Sequence, residues 1–72
     1  MSQLVEEVLR LEQRMKTLAA TRDRLGPGRQ ADDLEAQRQK LDDKRRALLA
    51  KASDTELIEL EHGRHALTQL LN

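Results

Sequence analysis

Residues 25 to 30 read LGPGRQ, placing the chain's one proline between two glycines. A glycine can end a helix in a conformation closed to other residues, and a proline just beyond it cannot continue one. No regular element passes through such a run. Whatever flanks it must therefore fold as separate pieces joined by a reversal, which makes a hairpin the starting expectation.

The flanks decide what those pieces are. Leu, Ala, Glu, Gln, Lys and Arg dominate, and there is no Phe, Tyr or Trp and only one Ile and two Val. That menu favours helix and lacks strand formers. An all-α fold follows. In the first segment Met1, Leu4, Val8, Leu11, Met15, Leu18 and Leu25 alternate in steps of four and three, with Arg22 the one interruption, which is a heptad seam. Ser2 can cap its start, and Val5, Leu9 and Ala19 broaden the apolar face enough to predict more than one neighbour. Glu6 with Arg10 and Glu12 with Lys16 are acid-before-base pairs one turn apart, expected on the outer, solvated face.

The second segment carries a thinner seam. Leu34, Leu41 and Leu48 recur every seven residues, Arg38 and Arg45 occupy the intervening places, and Asp32 or Asp33 can cap the start, with Glu35 completing a variant capping box. Beyond Leu48 and Ala52 the same phase would require apolar side chains at Thr55 and Glu59, whereas the next series is Leu57, Leu60, Leu67 and Leu71. The phase slips by two. Ser53 with Glu56 three residues later is a capping-box signature, so a turn or kink at 52–54 is favoured over a continuous helix. Gly63 reads as a weak spot in the third helix. The expected fold is one domain, 1–72: a small antiparallel helical bundle with coiled-coil-like packing. It comprises a helical hairpin (about 2–25 and 32–52, loop 26–31) and a third helix at about 54–71.

Composition limits the function. Thirteen basic and thirteen acidic side chains balance, so no net field draws the chain to nucleic acid or an anionic membrane. The absence of cysteine excludes disulfides and thiolate metal sites and is compatible with any compartment; no apolar run is long enough for a bilayer and the start lacks a signal-peptide pattern, so a cytoplasmic protein is expected. Glu59, Glu61, His62 and His65 include Glu-x-x-His, half of a di-iron bundle motif; two surface histidines on an amphipathic helix explain it equally, and no metal or cofactor is expected. Lys44-Arg45-Arg46 follows Asp42-Asp43 directly, has no aromatic for base stacking, and reads as a solvated face with Asp42 paired to Arg46.

The stretch 34–51 resembles the opening helix of the all-helical chorismate mutases: Arg38, Leu41, Asp42, Leu48 and Leu49 fall at that pattern's places, while Lys44 stands where an aliphatic belongs. The resemblance implies a small helical enzyme dependent on Arg38, whose remaining catalytic groups would lie on later helices. About two dozen residues follow Lys51. No nucleophile triad, phosphate loop or zinc-ligand set occurs, and no small-molecule substrate is expected. The leading expectation is thus a non-enzymatic protein-interaction module, a small adaptor or co-chaperone that packs a Leu-rich face against partner helices through Leu4, Val8, Leu11, Met15, Leu18, Arg22 and Leu25. The alternative is a homo-oligomerising coiled-coil spacer.

Overall fold

The computed structural model describes residues 2–71. It contains three helices in chain order, α1 (Gln3–Leu25), α2 (Arg29–Lys51) and α3 (Asp54–Leu71), and no strand among the described residues. Met1, at the head of the expected seam, lies outside the described residues, as does the side chain of Leu71.

The helix ends follow from local chemistry. Ser2 caps α1 by accepting from the Val5 N–H at 3.1 Å. At the other end Gly26 (φ 74°) donates to the Arg22 carbonyl at 3.1 Å, and Gly28 takes φ 142°, so both glycines sit in the left-handed half of backbone space that other residues avoid. The second helix begins at Arg29, earlier than Asp32, and no side chain caps it. Arg29, Gln30 and Ala31 are ordinary helix formers, and the Gly28 carbonyl already accepts the Asp32 N–H at 3.1 Å. The break is confined to the residues that cannot be helical. Asp32 lies instead in the first turn, where its charge still suits the positive end of the helix dipole.

At the second junction the chain turns. Ala52 is extended (φ −71°, ψ 139°), Ser53 Oγ accepts the Glu56 N–H at 3.2 Å, and Glu56 Oε1 accepts the Ser53 N–H at 3.0 Å. This is the reciprocal capping box that the spacing predicts.

The resulting arrangement is more open than a closed three-helix bundle. The antiparallel helices α1 and α2 pack along their length, α3 returns alongside α1, and α3 barely touches α2. The molecule measures 41 × 29 × 13 Å. Packed helices lie about 8–10 Å apart, so the 29 Å breadth reflects a splayed third helix. Val5, Val8 and Leu60 are wholly or almost wholly buried, flanked by Leu4, Leu9, Leu48 and Leu49. Gly63 is also buried, against Leu9 of α1: a β-carbon added there would lie 2.6 Å from Leu9 Cδ1. It is the residue that lets the two helices approach. No helix among the described residues is long and apolar enough to cross a membrane.

Candidate functional site

Because α3 leans on α1 and stands away from α2, a cleft of about 540 Å³ opens between them. Met15 and Ala19 of α1 form its apolar floor, with Glu12 and Lys16 beside them. Arg38 and Arg45 of α2 make one wall, and Arg64 and Thr68 of α3 the other.

The side chains that shape the cleft are held by ion pairs. Glu12 accepts from Arg64 Nε at 2.9 Å and Nη2 at 2.6 Å, and from Arg45 Nη1 at 3.4 Å. Its side chain is 17% exposed, a burial that a solvated pair with Lys16 would not produce. The outward Glu12–Lys16 pair expected from spacing is absent among the described residues: the carboxylate turns inward because two guanidinium groups from facing helices outcompete one flexible ammonium on its own helix. Arg64 Nη1 also reaches Glu61 at 2.6 Å. These partners, Glu12 first, raise the Arg64 pKa further above its already high value.

On α2 the pattern repeats. Asp42, expected on a solvated face, is only 6% exposed and binds Arg45 at 3.1 Å and Arg46 at 3.0 Å. Arg45 also turns towards Glu12 of α1, while Lys44 and Arg46 remain on the surface. Nearer the glycine turn Glu35 accepts from Arg38 Nη2 at 2.6 Å and from Arg22 of α1. It therefore serves an interhelical pair and takes no part in capping α2. The Arg38 hydrogen bond is the main reason the Glu35 pKa lies below the ordinary carboxylate value. The two α1–α2 pairs, Arg22–Glu35 and Glu12–Arg45, are symmetric about the same point just past Gly28. Together they fix the hairpin register. No buried side-chain polar atom among the described residues lacks a hydrogen-bond partner.

The seven seam residues divide as follows. Val8 is wholly buried in the core and offers no surface while the fold is intact. Leu4 packs beside it, and Leu11 lies next to Leu41 on the opposite side of the hairpin from the cleft. Met15 lines the cleft, Leu18 is half-buried, Arg22 is bound to Glu35, and Leu25 is half exposed at the turn. Of the residues carrying the chorismate mutase resemblance, Arg38 borders the cleft, Asp42 is sealed in ion pairs, and Leu48 and Leu49 support the core. His62 and His65 are exposed, and no group of three metal-binding side chains occurs among the described residues. Sequence reasoning found the Asp42–Arg46 pair but missed Arg64 altogether, together with the burial of Glu12 and Asp42. Their one signal was charge at positions flanking the seams, which spacing alone reads as solvated. Compared with protein-family models, curated proteins and solved structures, the chain matches none.

Proposed function

We propose that this chain is a non-enzymatic interaction module, a small helical adaptor or co-chaperone that completes its packing against a helix of another protein. One observation carries the reading: α3 docks on α1 and leaves its α2-facing side open, so the bundle has an open cleft above Met15 and Ala19. An amphipathic helix seated in a groove is a common recognition mode, and a methionine on the floor adapts readily to the incoming side chains. Large apolar side chains also remain on the surface, including Ile58 at 59% and Leu57 at 41% exposure. A core of this size leaves little stability in reserve, so added burial is favourable.

The test begins with sedimentation equilibrium and circular dichroism of the purified chain. A helical monomer is expected. A protein recovered by in-cell crosslinking should then reform a stoichiometric complex from purified components, and Met15→Asp should eliminate it while leaving the helical signal intact. Self-association with concentration-dependent melting would replace this reading by the coiled-coil spacer. A complex indifferent to both Met15→Asp and Leu18→Asp would remove the α1 face from the contact.

A further inference from the structure

We infer that the cleft between α2 and α3 selects an acidic amphipathic helix, a partner chemistry that rests on the interaction-module reading above. Its lining holds four cations, Lys16, Arg38, Arg45 and Arg64, against the one carboxylate of Glu12. These charges are not equivalent. Arg64 uses Nε, Nη1 and Nη2 on Glu12 and Glu61, and Arg45 uses all three nitrogens on Asp42 and Glu12, so the end of the cleft near Glu12 is internally satisfied. Towards the glycine turn the situation differs. Lys16 is exposed, with no carboxylate at salt-bridge distance among the described residues. Arg38 binds Glu35 through Nε and Nη2, and its Nη1 makes no hydrogen bond among the described residues.

The apolar strip of Met15 and Ala19 is thus bordered by unspent donors on opposite helices, Lys16 on α1 and Arg38 on α2. A helix bearing leucines on one face and carboxylates at the flanks satisfies both features at once. A basic helix would place its cations against Lys16 and the free edge of Arg38 and find no unpaired carboxylate in the lining to offset them. Charge complementarity of this kind sets partner selectivity and association rate.

Two synthetic peptides with the same leucine spacing, one flanked by glutamates and the other by lysines, test the assignment by fluorescence anisotropy on the full chain. The glutamate peptide should bind at least about tenfold more tightly, and less so as salt is raised. The double variant Lys16→Glu, Arg38→Glu should reverse that preference, whereas Lys44→Glu, the same kind of charge change beside Leu41 on the opposite side of the hairpin, should leave it unchanged. Circular dichroism confirms that each variant is folded, and Lys16→Glu alone, at an exposed position, serves if the double variant is not. Equal binding of the two peptides overturns the acidic assignment and leaves helix recognition standing. Binding of neither overturns both, and a preference that survives the charge reversal places the acidic contact elsewhere.

Discussion

At Glu12 a single carboxylate accepts hydrogen bonds from guanidinium groups on two other helices, so its removal is felt at the hairpin and at the α3 junction together. Hydrogen bonds to charged groups contribute about 1.5–3 kcal/mol where shielded and less where water screens them. With Arg45 and Arg64 at 25% and 36% side-chain exposure, Glu12→Ala should cost roughly 1–3 kcal/mol in urea denaturation. Combining it with Arg64→Ala in a double-mutant cycle should show a coupling of at least about 0.5 kcal/mol. Strict additivity would mean that the pair is incidental to stability. Burial of a charged residue is also where the sequence was hardest to read. Glu12 and Lys16 have ideal one-turn spacing, and nothing local reveals that a guanidinium on a helix 52 positions away will take the carboxylate first.

Element boundaries were far more legible, because they depend on neighbours in sequence. Ser2, Gly26 and the Ser53–Glu56 box each act within four residues, and each does in the structure what its spacing predicts. The start of α2 differs because competing caps at Asp32 and Asp33 were read where ordinary helix formers already extend back to Gly28. Gly63 is a tertiary matter. Read locally it weakens α3, yet it sits at the closest approach of α3 to Leu9. Substitution there sets two effects against each other: alanine gains about 1 kcal/mol of helix propensity, while its β-carbon requires the mobile tip of Leu9 to move. Gly63→Ala should therefore change stability by less than about 1 kcal/mol in either direction. Gly63→Leu cannot be accommodated by one side-chain rotation and should lose roughly 1–3 kcal/mol. Amide exchange should increase in α3 more than in the α1–α2 hairpin; uniform exchange across the chain would contradict a role for Gly63 specific to the α1–α3 contact.

For the whole molecule, the small core makes charge a substantial part of what holds the helices in place, and charge responds to pH. Glu35 and Glu56 both titrate below the ordinary value of 4.5 in the folded chain, Glu35 chiefly through the hydrogen bond from Arg38 and Glu56 chiefly through the Ser53 backbone N–H. Their folded pKa values are thus depressed relative to the unfolded chain. The stability they contribute is fully present above the unfolded value and is lost as the pH falls through the folded values. The arginine partners of Glu35 stay charged throughout this range, and Ser53, which holds Glu56, does not titrate, so neither adds an opposing titration. Thermal midpoints followed by circular dichroism should be level from neutrality down to about pH 5, then fall as the pH passes below 4.5. The double variant Glu35→Gln, Glu56→Gln should start from a lower midpoint at neutral pH and decline less steeply in acid, because its amides have no proton to gain. An acid limb as steep as that of the unsubstituted chain would assign the loss to other carboxylates and leave the register pair and the α3 capping box without a measurable electrostatic share.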